Sequence, residues 1–364
     1  MGKHRASEVG GDNDGTALPG VVSGMRGLIG NTPLIRLDRL FQGSPAQVLV
    51  KWERMNPAGS AKDRVADAMM TAAMAHSGLR TGGHVIESTS GNLGVALAQQ
   101  CCLRGVTFHA VVDPRTNPRQ VDLMRAYGAD VMRVTEPDPV SGEWLPARIA
   151  AVSAALAAHP GWHWPNQYAN PVNPAAHCAG TAAELWAQAG SPPDVVVVAA
   201  SSCGTLSGLR DYIDSRQVPT RLVAVDTRGS IIFGASSGPR RFPGIGAGVI
   251  PTLAGRARPD DVVMVSDEDC VAGAQLMLRR EALLCGASGG AVVAAAARIA
   301  AGLAADQTVA MLAHDGGEAY LDTLYNPDWL ERELGLSPAG VDEIVGALAR
   351  RAEPAAAGAL AQPA

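Results

Sequence analysis

The chain has 364 residues, 47% hydrophobic and 18% charged, with a formal net charge of −5. That composition belongs to an ordinary globular protein long enough for about two domains. Acids and bases are mixed throughout. No basic block follows a phosphate backbone and no apolar run reaches membrane-spanning length, which argues against nucleic-acid and membrane partners.

Residues 1–25 begin Gly/Asp/Ser-rich, lack the apolar segment of a secretory signal and read as a flexible leader. Strand-like runs follow at 48–53, 84–89, 107–113, 130–135, 195–200, 221–226, 262–266 and 308–313. Helical periodicity lies between them at 60–76, 93–103, 118–127, 175–189, 205–215, 269–284 and 289–303. Asn173 before Pro174 predicts a helix start. A last helix reads at 341–351, and the Ala/Pro-rich tail from 353 reads as loose. The alternation predicts an α/β fold with parallel-rich sheets and helices on both faces. The expected division is a smaller domain at 58–165, a larger one from 26–57 plus 166–335, and a C-terminal helix and tail at 336–364.

The six cysteines, at 101, 102, 178, 203, 270 and 285, form neither a C-x-x-C pair nor a zinc-like cluster. They read as small core residues in a reducing cytoplasm. His159 and His163 flank a turn-like Pro160-Gly161-Trp162 but lack a third ligand, so no metal is expected.

Only three of the 30 basic residues are lysines: Lys3, Lys51 and Lys62. Arginine keeps its proton at neutral pH, whereas a desolvated lysine becomes a nucleophile. Lys3 and Lys51 read as solvated charges. Lys62, in Asn56-Pro57-Ala58-Gly59-Ser60-Ala61-Lys62-Asp63-Arg64, reads as the catalytic amine. Three polar loops follow strands and open helices, where open α/β sheets bind ligands. Ser88-Thr89-Ser90-Gly91-Asn92 suits a carboxylate. Ser201-Ser202-Cys203-Gly204-Thr205 suits a phosphate held without any cation. Cys285-Gly286-Ala287-Ser288 offers a hydroxyl for a ring nitrogen, or merely a helix cap. Together with Lys62 these loops point to pyridoxal 5′-phosphate. No Gly-rich dinucleotide loop follows a strand, which disfavours a nicotinamide cofactor.

With Asn31-Thr32-Pro33-Leu34, Gly244-Ile245-Gly246-Ala247-Gly248 and Asp315-Gly316-Gly317-Glu318 added, the chain resembles the cysteine synthase/cystathionine β-synthase family of pyridoxal-phosphate enzymes. The resemblance runs from about Gly30 to Tyr320. It implies a two-domain, tryptophan synthase β-like fold (type II), a homodimer, and closure of a mobile smaller domain over amino-acid substrates. It also implies a Schiff base at Lys62 and a substrate-carboxylate loop of Thr89, Ser90, Gly91 and Asn92, with Asn92 also at the cofactor's phenolic oxygen. Ser201, Ser202, Cys203, Gly204 and Thr205 would hold the phosphate, and Ser288 the ring nitrogen. A neutral Ser288 hydroxyl there would leave the ring weakly electron-withdrawing.

Leu93 and Pro243 depart from the sulfhydrylase pattern, as do Ser201, Ser202 and Cys203. Residues 87–94, 164–171 and 242–247 resemble a narrower branch that supplies 2,3-diaminopropionate for siderophores and peptide antibiotics. That implies a β-replacement joining O-phospho-L-serine to L-glutamate. Arg240 and Arg241 are candidates for the anionic groups, equally readable as solvated loop arginines. Tyr168 reads as acceptor-pocket wall or core. A sulfide-using cysteine synthase and a non-catalytic ligand-binding relative are the alternatives.

Overall fold

The structure is a computed structural model and describes residues 21–352. Lys3, most of the expected leader and the tail from 353 lie outside the described residues. The strands are β1 (Leu34–Arg36), β2 (Gln47–Trp52), β3 (His84–Ser88), β4 (Thr107–Val112), β5 (Asp130–Arg133), β6 (Val195–Ala199), β7 (Arg221–Thr227), β8 (Asp261–Val265) and β9 (Thr308–Ala313). The helices are α1 (Lys62–His76), α2 (Asn92–Arg104), α3 (Pro118–Ala126), α4 (Trp144–Ala158), α5 (Val172–Ala176), α6 (Ala183–Ala189), α7 (Gly204–Arg216), α8 (Ala254–Ala257), α9 (Asp267–Glu281), α10 (Ala287–Ala300), α11 (Pro327–Leu334) and α12 (Pro338–Ala352). Among the described residues, no helix is long and apolar enough to cross a membrane.

The larger sheet runs β1-β2-β9-β6-β7-β8, parallel except for β1. The run Val195–Ala199 shows why both faces are covered. Val195 and Val197 pack with Val48, Val50 and Val223 beneath α9, α10 and α12. Val196 and Val198 pack with Leu49, Leu222 and Ala224 against α6, α7 and α8. Alternate side chains go to opposite faces, so a strand buried on both sides reads as an unbroken apolar run. Each such valine contributes roughly 1.5–3 kcal/mol. The smaller sheet, β3-β4-β5, is parallel and packs on α1, α2 and α3. His163 extends it: its N–H donates to His84 O at 2.9 Å, and its carbonyl accepts from Ile86 N at 2.9 Å.

The Asn-Pro helix start expected at Asn173-Pro174 fails, although the same pair opens α3 and α11. Asn117 caps α3 and Asn326 caps α11, each with proline next. At Asn173-Pro174 the helix has already begun, with Pro171 at its N-cap. The Asn173 amide instead donates to Gln167 O at 2.8 Å, a tertiary bond that local sequence does not encode. The helical stretch expected at 175–189 is broken by a π-helical turn at His177–Ala182 before α6.

Four of the loops that line the site leave the C-terminal ends of strands, whereas the 285–288 loop, expected to follow a strand, instead joins helix α9 to α10. Residues 56–62 follow β2, 89–92 follow β3, 201–205 follow β6 and 314–315 follow β9. Helix α10 is fixed in place by backbone contact with α9: a Cβ at Gly273 or Gly290 would overlap the opposing main chain. That close approach determines where Ser288 sits.

Candidate active site

One cavity between the two sheets is lined by Lys62, Thr89, Ser90, Gly91, Asn92, Tyr168, Ser201, Ser202, Cys203, Gly204, Thr205 and Ser288. Arg240 and Arg241 line a second cavity that shares Ser90, Tyr168 and Ser201 with the first.

Lys62 opens α1 on a loop held by its neighbours. Ala61 N–H donates to His314 O at 2.8 Å, and the Asp63 carboxylate accepts from the amides of Ala58 (2.5 Å) and Ser60 (3.2 Å). The Lys62 ammonium makes no hydrogen bond or ion pair to the described residues. Desolvation pulls its pKa down, only partly opposed by Asp315 and Glu53. An amine poised this way is a better nucleophile and base than a solvated lysine.

The 201–205 loop bends at Cys203, whose φ is 64°, and enters α7 at Gly204. A Cβ at Gly204 would overlap Asn173, so only glycine lets the loop close against that side chain. First-turn N–H groups of a helix lack intrahelical partners and face an incoming anion. Thr205 Oγ1 lies 3.2 Å from His177 Nε2, and burial holds His177 neutral. Burial also pushes the Cys203 thiol up to about 12, which suppresses a reactive thiolate.

Beneath the 88–92 loop lies Glu87, fully buried. Its carboxyl accepts from Ser88 N (2.9 Å), Trp164 Nε1 (3.0 Å) and Gln167 N (3.2 Å), tying the loop to the segment that carries Tyr168. Burial pushes its pKa up to about 7 despite these donors. Across the cavity, Asp315 Oδ2 accepts from Asn92 Nδ2 at 2.8 Å and from the Tyr320 hydroxyl at 3.1 Å. Neighbouring His314 is held neutral by burial, its pKa lowered to about 3.

The second cavity contains Arg115, Arg148, Arg240 and Arg241 with Asp113 and Glu143. Arg240 is already engaged: Nη2 bonds both Glu143 oxygens at 3.2 Å, and Nη1 bonds Gly229 O at 2.8 Å. Arg241 pairs with Glu333. Arg148 differs. It is 6% exposed, and its Nε and Nη1 have no hydrogen-bond partner. It forms an ion pair with Asp113, whose Oδ2 lies 3.4 Å from Nε, but no hydrogen bond. Sequence reasoning missed Arg148 because α4 is apolar nearly all round, with no amphipathic stripe to reveal it.

Lys51, expected to be solvated, is instead wholly buried. Its three protons go to Thr32 O (2.6 Å), Glu184 Oε2 (2.8 Å) and Gln188 Oε1 (2.8 Å). Glu184 in turn accepts from Arg64 Nη1 at 2.6 Å, and Arg64 Nε donates to Glu53 at 2.7 Å.

The first cavity fits pyridoxal phosphate. It offers an unpaired amine, a helix N-terminus in a cup without lysine or arginine, an amide and a hydroxyl. A family model described as pyridoxal-phosphate dependent enzyme matches residues 25–315. The chain is 42% identical over 312 residues to the N-(2-amino-2-carboxyethyl)-L-glutamate synthase of Ralstonia nicotianae, covering 86% of this chain and 92% of that protein. It is 41% identical over 307 residues to the protein of the same name from Cupriavidus metallidurans, covering 84% and 90%. Among solved structures, an O-acetylserine dependent cystathionine beta-synthase from Helicobacter pylori superposes with a TM-score of 0.77 at 27% identity, covering 83% of this chain and 98% of that one. An O-ureido-L-serine synthase gives 0.76 at 30% identity, covering 83% and 94%.

Proposed function

The chain belongs to the pyridoxal-phosphate-dependent enzyme family, and from that membership we propose that it joins O-phospho-L-serine to L-glutamate. The products are N-(2-amino-2-carboxyethyl)-L-glutamate and phosphate, a source of 2,3-diaminopropionate. The reading takes its substrates from the name of the relatives that are 41–42% identical over most of the chain. The observation that carries it is Arg148. Asp113 balances its charge, but the buried Nε and Nη1 donors still make no hydrogen bond, at a cost of roughly 1–3 kcal/mol each unless a ligand oxygen accepts from them. Hydrosulfide, with one acceptor atom, cannot accept from both donors; a carboxylate of a dicarboxylate acceptor can, by bidentate contact.

The cofactor, when bound, supplies the electron sink that labilises the Cα proton and the β-substituent. Lys62 would hold it, and its Nζ would take the Cα proton of the donor. Thr89, Ser90, Gly91 and Asn92 hold the donor's carboxylate. The first turn of α7, with Ser201, Ser202, Cys203 and Thr205, holds the cofactor phosphate. Tyr168 and Ser201 stand between the two cavities and shape the acceptor's approach. The smaller domain (58–165) closes to exclude water, and the enzyme works as a cytoplasmic homodimer.

Mass spectrometry after mixing protein with O-phosphoserine and either glutamate or sulfide tests the reading. The glutamate adduct is expected; a cysteine product without the adduct overturns it. Arg148→Ala is expected to raise KM for glutamate by about 10- to 100-fold, equivalent to about 1.4–2.8 kcal/mol. Phosphate release from the donor alone should change little.

A further inference from the structure

Asp113 and Arg115, in the loop after β4, both line the second cavity. The Asp113 carboxylate is 2% exposed and acts in two directions. Its Oδ1 accepts the Arg115 N–H at 2.8 Å, and its Oδ2 lies 3.4 Å from Arg148 Nε. One buried carboxylate thereby fixes the main chain of one arginine and the guanidinium of the other. Three of the four guanidiniums at this cavity are paired with carboxylates: Arg148 with Asp113, Arg240 with Glu143 and Arg241 with Glu333. Arg115 is the fourth, and its guanidinium makes no hydrogen bond or ion pair to the described residues. It lies over the ring of Trp144, the first residue of α4, 5.7 Å from the centroid. Stacking of this kind restrains the planar group and leaves its N–H donors uncommitted. A restrained guanidinium with free donors suits a carboxylate.

On the reading that the second cavity receives the acceptor, we propose that Arg115 is a specificity-determining residue that takes the side-chain carboxylate of L-glutamate. The acceptor's reacting nitrogen and its α-carboxylate share one carbon. Both must therefore approach the wall common to the two cavities, where Ser90, Tyr168 and Ser201 stand. The side-chain carboxylate trails behind, toward solvent. Arg148 is buried and Arg115 is exposed. The inner guanidinium accordingly meets the α-carboxylate, and the outer one meets the side chain. With its amine uncharged for attack, L-glutamate carries a negative charge at each end. Arg148 offers two idle donors to one end, and Arg115 offers an unpaired cation to the other. An acceptor without the second carboxylate forgoes the Arg115 contact, and that loss separates glutamate from its amide.

A competition experiment with the holoenzyme reads this preference directly. O-Phosphoserine is the donor, and L-glutamate and L-glutamine are supplied in equal amounts. Glutamine keeps the α-carboxylate and carries an amide in place of the other. The product ratio, by mass spectrometry, equals the ratio of kcat/KM values. Wild type is expected to favour glutamate by about 10-fold or more, and Arg115→Gln to reduce that preference by about 10-fold or more. Arg115→Lys should keep part of it, since a point charge remains. A wild type that does not distinguish the two acceptors overturns the assignment. So does an unchanged ratio in Arg115→Gln, because a merely structural role weakens both acceptors alike. Failure of the underlying reading shows separately: Arg148→Ala would then raise KM for O-phosphoserine rather than for glutamate.

Discussion

Lys51 and Lys62 stand at opposite ends of one strand-to-helix passage, both withdrawn from bulk solvent and both with pKa values lowered by desolvation. Lys51 spends every ammonium proton on a protein acceptor. Lys62 spends none on the described residues. A buried charge with matched partners is structural, and one without them is available for chemistry. Glu184 records the same contrast from the acid side. Burial alone would raise its pKa, but bonds from Arg64 and Lys51 outweigh it and hold the value to about 2.

The comparison breaks most sharply at Lys62. Lys62→Ala should bleach the visible absorbance of the purified protein and cut turnover by about 10³-fold or more. Denaturant unfolding should be nearly unchanged, because no protein partner is orphaned. Lys51→Met should do the reverse. Unfolding free energy should fall by about 3 kcal/mol as the buried cluster loses a cation, with the absorbance retained. If Lys51→Met also bleached the protein, the division of labour between the two lysines would be wrong.

Glu87 sharpens the contrast, as a buried acid with hydrogen-bond donors but no cation. Its pKa rises from 4.5 in the unfolded chain to about 7 in the folded one. Its contribution to stability is therefore full below about pH 4.5 and is lost as pH climbs through 7. The shift corresponds to roughly 3 kcal/mol at most. Glu87→Gln should flatten the fall in unfolding free energy across that window, measured by urea titration at several pH values. An identical slope in the two proteins would mean that Glu87 is ionised throughout.

The β-rich runs and most helix cores were readable because their periodicities are local. Helix α4 was not, since an Ala-rich segment that is apolar on every side carries no stripe. Strand β1 was too short to register. The loops at 89–92 and 201–205 were readable by residue type, and the fold brings both to the cavity that contains Lys62. Arg240 and Arg241 drew attention as adjacent charges, yet their guanidiniums are paired with Glu143 and Glu333. Arg148, with donors to spare, gave no local signal.

By itself the sequence determined the α/β alternation, the amine at position 62 and the polar loops that gather round it, because strand period, helix period and scarcity of lysine are properties of the chain alone. Which buried charges are paired was decided only by tertiary structure. Lys51 meets Glu184 across 133 positions and Asn92 meets Asp315 across 223. A charge's pKa and its freedom to react depend on neighbours that only the packed fold brings within a few ångströms.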